Sequence, residues 1–183
     1  EPMNYIIGNA GKRLRPIMVL MACDLFNGNT EKAIKPALAI EYFHNFTLIH
    51  DDIMDEAPLR RNNPTIHTLH GINVGILSGD ALLIKAYQFF EDLEPELFKK
   101  CIQIFSETGA VLCEGQQMDV NFETMEDVTY DNYIEMITNK TGVLSAASFK
   151  IGALIADAKE EEAEHLYNFG KQIGIAFQIM DDY

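Results

Sequence analysis

The sequence contains few cysteines and no long apolar run. Its three cysteines, Cys23, Cys101 and Cys113, are widely spaced and form no CxxC pair. Isolated thiols in odd number are typical of a reduced, cytoplasmic protein rather than of a disulfide-stapled secreted one. No uninterrupted apolar stretch approaches the roughly 20 residues that a membrane span needs. The stretch 143–156 comes closest, and Lys150 interrupts it.

Basic residues are also scarce. Against 14 Lys and Arg stand 28 Asp and Glu, which gives a formal net charge of −14. A nucleic acid or an anionic membrane surface would be repelled by this excess of negative charge. The composition, 48% hydrophobic and 23% charged, is otherwise that of an ordinary globular protein.

Helical periodicity runs through nearly the whole sequence. The predicted helices cover 17–26, 33–54, 74–93, 96–122, 130–156 and 160–182. No strand alternation, internal repeat or interdomain linker is recognisable. We therefore expect an all-α bundle formed by one domain over residues 1–183. Because the sequence begins without an initiator Met and carries no terminating signal, we expect this domain to be truncated at both ends.

Three aspartates close the second predicted helix. Asp51, Asp52 and Asp55 form a DDxxD motif, and this spacing places all three carboxylates on one side of a helical turn. Carboxylates so close repel one another, and burial would raise their pKa values. A divalent cation removes both costs, and hard oxygen ligands suit Mg²⁺. The apolar residues directly before the motif favour this metal site over a solvated acidic helix end.

Two basic clusters accompany the aspartates. The first is the segment GKRLRP at 11–16, at a predicted helix start where backbone N–H groups also favour anions. The second is Arg60-Arg61, directly after the motif. Arginine binds phosphate oxygens bidentately and lysine adds a point charge. Either cluster alone could be a solvated surface, but beside a metal motif the two predict two sites for phosphorylated substrates.

The motifs together resemble a known family. The segments GKRLRP, HNFTLIHDDIMDEAPLRR, GDALL, GQQMD, KTG and FQIMDD occur in the order seen in isoprenyl diphosphate synthases, the polyprenyl synthetase family. The resemblance runs from Gly11 to Tyr183. It implies an all-α isoprenoid synthase-type bundle around a central cavity, with two aspartate-rich motifs facing each other. One departure is that the second such motif is cut off after Asp182.

The implied function is that of a short-chain trans-prenyltransferase of the farnesyl or geranylgeranyl diphosphate synthase type. Such an enzyme condenses isopentenyl diphosphate with an allylic diphosphate by Mg²⁺-assisted ionisation, condensation and elimination. The resemblance also implies a homodimer.

The resemblance assigns roles to individual residues by their position in the motifs. Isopentenyl diphosphate would be held by Gly11, Lys12, Arg15, His44 and Arg61. The allylic diphosphate, or the carbocation that develops from it, would be contacted by Arg60, Lys140, Thr141 and Gln178. The Mg²⁺ ions would be bound by Asp51 and Asp55, with Asp52 nearby, and by Asp119 and Asp181.

Residues before the first aspartate are candidates for setting the product length. Thr47 and Phe43 precede Asp51 by one and two turns, about 6 Å and 12 Å along the helix. In short-chain members of the family the fifth position before DDxxD is aromatic, and Phe46 occupies it here. We expect a C15 to C20 product, with C20 favoured. An ideal helix does not place Phe46 on the face of Asp51, so a purely structural role for this side chain stays open.

Other functions share parts of this pattern. Glu41 with His44 and Glu162 with His165 are ExxH pairs, which in a helical bundle suggest a ferritin-like di-iron protein. That alternative leaves the basic clusters without a role. A terpene cyclase shares the DDxxD motif but does not need a second diphosphate site. A non-catalytic partner subunit is disfavoured by the intact aspartates and Lys140.

Overall fold

The computed structural model describes residues 1–9 and 11–183, and these are almost entirely helical. The helices are, in chain order, α1 (Pro2–Gly8), α2 (Leu14–Leu25), α3 (Thr30–Met54), α4 (Ile66–His70), α5 (Ile72–Gln88), α6 (Pro95–Phe122), α7 (Tyr130–Ile137), α8 (Val143–Ile155) and α9 (Glu160–Asp182). A π-helical turn, Thr138–Gly142, connects α7 to α8. Two short antiparallel strands, β1 (Leu59–Arg60) and β2 (Asn63–Pro64), pair in the loop after α3. The expected all-α fold is confirmed.

Helix α3 is the centre of the bundle, and its C-terminal half carries the DDxxD motif. The helix begins where the Asn29 side chain accepts a hydrogen bond from the Glu31 amide, which satisfies one of the free N–H groups of the first turn. Small side chains at Ala33, Ala37 and Ala39 are fully buried. They allow α2, α5 and α8 to pack closely around α3. The packing of these three helices therefore fixes the orientation of the end of α3 that carries the aspartates.

An aromatic layer joins α3 to α5 and α6. The Phe105 ring lies edge-on to the rings of Phe43, Tyr87 and Phe90, with centroids 5.0 to 5.2 Å apart. Phe105 and Phe90 are buried. Edge-to-face pairs of this kind stabilise a core beyond the area that they bury. This layer holds the middle of α3 rigidly below its acidic end.

Helix α8 contains the longest apolar stretch, and it is buried inside the bundle. Gly152 lets it approach α2 so closely that an added Cβ would lie 2.2 Å from the Val19 carbonyl oxygen. The lysine that interrupts the stretch, Lys150, reaches Glu164 at 2.6 Å and Glu160 at 3.2 Å. In residues 1–9 and 11–183 no helix combines the length and the apolar character that crossing a bilayer requires.

The structure differs from the sequence prediction at three places. The helix predicted over 130–156 is divided by the π-helical turn. Helices α1 and α4 are too short for their periodicity to be recognised. The loop after α3 contains the β1–β2 hairpin, which was not predicted. Its connecting residues Arg61 and Asn62 have φ angles of 52° and 63°. Two consecutive positive φ values are typical of tight hairpin turns, and two-residue strands show no alternation.

Candidate active site

A cavity of about 710 Å³ opens along the C-terminal half of α3. It is bounded by residues from α2, α3, the hairpin, α6, the π-helical turn, α8 and α9. All of the residues predicted to bind substrate line it: Gly11, Lys12, Arg15, His44, Arg60, Arg61, Lys140, Thr141 and Gln178. Among the predicted metal ligands, Asp51 and Asp181 line it as well. Residues far apart in sequence are thus brought to one site.

Two cations pair with Asp51 and Asp52 of the DDxxD motif. Arg60 donates from Nε to Asp52 Oδ1 at 2.6 Å and from Nη2 to Asp51 Oδ2 at 2.9 Å. The other oxygen of Asp51 lies 3.1 Å from Lys140 Nζ, and the same ammonium contacts Asp119 at 2.5 Å. Asp119 therefore joins the acidic cluster through Lys140, although it does not line the cavity itself.

The electrostatics of this cluster fit a divalent cation. Burial raises the pKa of Asp55, and the neighbouring charges of Asp51 and Asp119 raise it further. Burial also raises the pKa of Asp52 despite the opposing charge of Arg60. The buried oxygen Asp52 Oδ2 has no hydrogen-bond partner within the described part of the chain. A hard cation with oxygen ligands would relieve both the repulsion and the lost solvation.

The carboxylates are nevertheless not arranged as a finished ligand set. Across residues 1–9 and 11–183 no three acidic, histidine or cysteine side chains converge on one point. Burial would lower the pKa of Lys140, but its contacts with Asp119 and Asp51 raise it overall. Lys140 therefore stays positive between the carboxylates. A cation that binds Asp51, or Oδ1 of Asp52, therefore competes with Arg60 and Lys140.

The basic cluster is positioned by an ion pair that the sequence analysis did not identify. Arg13 begins α2 with a left-handed backbone (φ 50°). Its guanidinium binds the Glu41 carboxylate and the carbonyl oxygens of Ile7 and Asn9. Asn45 Nδ2 donates to the same carboxylate at 3.0 Å. Arg13 is thereby turned into the protein. Glu41 is an acidic residue within the apolar face of α3, and this feature of the sequence could have indicated it as a partner for Arg13.

Arg15 and His44 form a second wall of the cavity, and His44 lies two turns before Asp51 on α3. Arg15 Nη1 lies 3.3 Å from His44 Nε2. Burial lowers the pKa of His44 well below its usual value, and Arg15 and Arg61 lower it further, so the imidazole is neutral at pH 7 and Nε2 accepts the hydrogen bond. Burial lowers the pKa of Arg15 to about 10, which leaves it positive. Its buried Nε has no partner among the described residues.

Gly11 and Arg61 meet at the same wall. An added Cβ on Gly11 would lie 2.4 Å from Arg61 Nη1, so a larger residue would displace this guanidinium from its position. The positive φ of Arg61 at the hairpin turn directs the side chain there. Burying unpaired or crowded guanidinium groups is costly unless an anion meets them. This side of the cavity therefore has the charge and the donors to hold an anion.

Helix α9 contributes a second polar chain. Thr141 donates to Gln178 Oε1 at 2.9 Å, and Gln178 Nε2 donates to Asp182 Oδ1 at 2.8 Å. Tyr133 donates to the other oxygen of Asp182 at 2.6 Å, and this hydrogen bond raises the pKa of Tyr133 to about 12. Sequence reasoning missed Tyr133, since nothing in its spacing points to α9. This series of hydrogen bonds holds the amide of Gln178 toward the cavity.

Only one of the three product-length candidates lines the cavity. Thr47 does so, beside the apolar residues Leu48, Leu112 and Leu144. Phe46 instead packs between the Phe43 ring and the His50 ring, at 5.5 Å and 4.8 Å. Phe43 belongs to the buried aromatic layer. The geometry favours Thr47 as the wall residue and leaves Phe46 and Phe43 one layer behind it.

The two ExxH pairs do not meet. Glu41 binds Arg13, and His44 contacts Arg15. Glu162 accepts from the backbone N–H of Lys159 at 3.0 Å and so caps the start of its own helix. His165 is exposed. The residues of the di-iron alternative therefore have other partners.

Comparison with known proteins agrees with this geometry. Residues 1–183 match the family described as polyprenyl synthetase. The chain belongs to the polyprenyl synthetase family. It is 44% identical over 180 residues to a geranylgeranyl diphosphate synthase of Methanosarcina mazei, covering 97% of this chain and 56% of that protein. The family resemblance of the motifs is thus confirmed.

Solved structures of the polyprenyl synthetase family superpose closely. A geranylgeranyl pyrophosphate synthetase from Pyrococcus horikoshii gives a TM-score of 0.95 at 42% identity, covering 99% of this chain and 56% of that one. A polyprenyl synthase from Caulobacter crescentus, complexed with calcium and isoprenyl diphosphate, gives 0.91 at 31% identity, covering 98% and 54%. The chain therefore spans about half the length of the relatives it matches.

Removing Arg60 should tighten metal binding by the protein when no diphosphate is present. Arg60→Gln frees Asp51 and Asp52 from their counter-ion. Calorimetric titration with Mn²⁺ alone should give a dissociation constant lower by roughly two- to fivefold, as expected for a partly exposed ion pair. Lys99→Gln, the same charge change at an exposed position of α6, is the control. Weaker Mn²⁺ binding in Arg60→Gln would show that Arg60 does not compete for the site.

Proposed function

We propose that the protein is a trans-prenyltransferase that joins isopentenyl diphosphate to an allylic diphosphate and uses Mg²⁺. The product is a short-chain prenyl diphosphate of C15 to C20, and the three free thiols support a cytoplasmic location. The observation that carries the proposal is a single cavity with two separate groups of cations. One group, Arg60 and Lys140, pairs with the aspartates, and the other, Arg15 and Arg61, lines the cavity beside His44 and Gly11. Two diphosphates fit such a site, whereas a terpene cyclase needs only one.

Isopentenyl diphosphate is assigned to the wall formed by Gly11, Lys12, Arg15, His44 and Arg61. Arg15 and Arg61 lie close together, and the buried Arg15 Nε has no hydrogen-bond partner among the described residues. A diphosphate meets both guanidinium groups with charge-assisted hydrogen bonds. The neutral His44 accepts from Arg15 and so holds that guanidinium in place.

The allylic diphosphate is assigned to the acidic side. Mg²⁺, held there by Asp51, Asp55, Asp119 and Asp181 with Asp52 behind them, would neutralise the departing diphosphate. Arg60 and Lys140, released from the carboxylates, bind the diphosphate oxygens. Both cations are already within hydrogen-bond distance of the motif, so a small movement of each side chain suffices.

The reaction then follows from the arrangement of charge. The bond between the allylic carbon and oxygen breaks, and the diphosphate leaves with the electron pair. The Gln178 amide oxygen, held by Thr141, faces the resulting allylic cation. The double bond of isopentenyl diphosphate supplies the electrons of the new carbon–carbon bond. A proton is then lost, and we assign it to the released diphosphate, because His44 is engaged by Arg15. Leu112 and Leu144 keep water from the cation.

Product analysis tests the proposal. The purified protein, given labelled isopentenyl diphosphate, allylic primers and Mg²⁺, should form a C15 or C20 diphosphate that disappears with EDTA. Asp51→Ala should lower turnover by on the order of 10²- to 10³-fold, whereas Asp92→Ala, at an exposed loop aspartate, should not change it. Cyclic hydrocarbon from a preformed prenyl diphosphate would indicate a cyclase. No turnover with any primer would favour the partner-subunit alternative, and bound iron would favour the di-iron one.

The product-length hypothesis can be tested separately at Phe46 and Thr47. Thr47 lines the cavity, so Thr47→Phe should shorten the product. Phe46→Ala opens space behind the wall and should lengthen it. Chromatography of the dephosphorylated products measures both effects. An unchanged product from Phe46→Ala, with a shortened one from Thr47→Phe, would leave Phe46 a packing role only.

We also propose a homodimer that forms through helix α5. Val74, Leu77 and Ile84 lie on one stripe of this helix and are 36%, 68% and 60% exposed. An apolar stripe of this kind on a surface helix is typical of an interface. Light scattering should give the mass of two chains, and Leu77→Glu should give the mass of one. Tyr130→Glu, at an equally exposed site on α7, is the control. A single-chain mass for the unaltered protein would refute the dimer.

A further inference from the structure

The π-helical turn that presents Lys140 and Thr141 is held between two other helices at backbone distance. Helix α6 contacts it on one side and α9 on the other. A π-helical turn is rare, and its extra residue changes the direction of the side chains that follow. Lys140 and Thr141 are adjacent in sequence, yet Lys140 reaches Asp119 on α6 and Thr141 reaches Gln178 on α9.

Gly115 makes the contact on the α6 side. A Cβ added at this position would lie 2.4 Å from the Lys140 backbone nitrogen and 2.7 Å from the Asn139 carbonyl carbon. Both are backbone atoms, so no side-chain rotation could relieve the clash. Any residue other than glycine would push the π-helical turn away from α6 by about 1 Å to reach an ordinary contact.

Gly174 makes the matching contact on the α9 side. Its added Cβ would lie 2.7 Å from Gly142 Cα, at the last residue of the π-helical turn. The facing residue is itself a glycine, and a Cβ on Gly142 would lie 3.3 Å from the Lys171 carbonyl oxygen. The turn is therefore clamped between backbones on both sides.

Gly115 and Gly174 have the same spacing from the side chains that bind Lys140 and Thr141. Asp119 follows Gly115 by four residues, and Gln178 follows Gly174 by four residues. Residues four apart lie on one face of a helix. Each helix thus offers a bare backbone position and, one turn later on the same face, the partner of the side chain that the π-helical turn presents.

We propose that Gly115 and Gly174 are positioning residues of the diphosphate site, acting through Lys140 and Thr141. The role of this site rests on the proposed function, but the positioning does not require turnover. A methyl group at Gly115 moves Lys140 relative to the carboxylates of α3 and α6. A misplacement of about 1 Å at such a site lowers rate by on the order of 10²-fold. The wall that holds Arg15 and His44 belongs to α2 and α3 and stays where it is.

The test is a double-mutant cycle between Gly115→Ala and Lys140→Gln, read out as binding of inorganic diphosphate with Mg²⁺ by calorimetry. If Gly115 acts through Lys140, then Lys140→Gln weakens binding in the unaltered protein and has almost no further effect in Gly115→Ala. Equal losses in both backgrounds would overturn the proposal, because Gly115 would then be acting elsewhere. Gly109→Ala is the matched control on α6, since its Cβ meets only the Phe43 ring at 3.4 Å.

Steady-state kinetics supply a second, independent measurement. Gly115→Ala should lower turnover about 10- to 100-fold and raise KM for the allylic diphosphate, while KM for isopentenyl diphosphate stays within about twofold of its original value. Equal increases in both KM values would overturn the proposal. Should Gly115→Ala fail to fold, by circular dichroism, the cycle between Gly174→Ala and Thr141→Val decides in the same way. An unaltered protein that binds diphosphate with the predicted coupling but forms no product would refute the proposed function alone.

Discussion

The accumulation of like charge at the C-terminal end of α3 is the constraint on which the site depends. Asp51, Asp52 and Asp55 lie within one helical turn at the edge of an apolar bundle, where each carboxylate loses solvation and meets the others. Such a group is stable only beside cations. Arg60 comes from the hairpin and Lys140 from the π-helical turn to meet it. The hairpin and the π-helical turn therefore lie beside the aspartates and supply the cations that stabilise them.

The wall that contains Arg15, Arg61 and His44 has an excess of positive charge instead. Arg13, Arg15 and Arg61 all contribute positive charge, and Glu41 offsets part of it by pairing with Arg13 and attracting Arg15. His44 remains neutral and adds no further charge. The wall is left with uncompensated guanidinium groups facing the cavity. The acidic cluster and this basic wall thus occupy different parts of one cavity, an arrangement that the proposed binding of two diphosphates would use.

Much of this arrangement could be predicted from the sequence, and the missing parts share a physical cause. The DDxxD spacing and the two basic clusters are local patterns, so they predicted Asp51, Arg15 and Arg60 at one site. The Arg13–Glu41 ion pair joins residues 28 apart, and Tyr133 reaches Asp182 across 49. No periodicity records such pairs, because they depend on how helices cross. The hairpin and the π-helical turn were missed since each is shorter than the window over which a period can be recognised.

The cavity lining changes from charged to apolar along α3. The proposed function would use the charged part for diphosphate and the apolar part for hydrocarbon. Charged residues lie at the end of α3 that holds Asp51, and Thr47 lies one turn further back, beside Leu112 and Leu144. Behind these follows the aromatic layer around Phe43 and Phe105, whose rings are buried and held edge to face. Moving an aromatic ring out of such a layer costs several kcal/mol, roughly 3–5 for its complete loss. Under the proposed function, a hydrocarbon growing away from the charged end would meet first an aliphatic wall and then the aromatic layer. The wall residue Thr47 and the depth of the aromatic layer behind it would together set, under the proposed function, how far the product can extend.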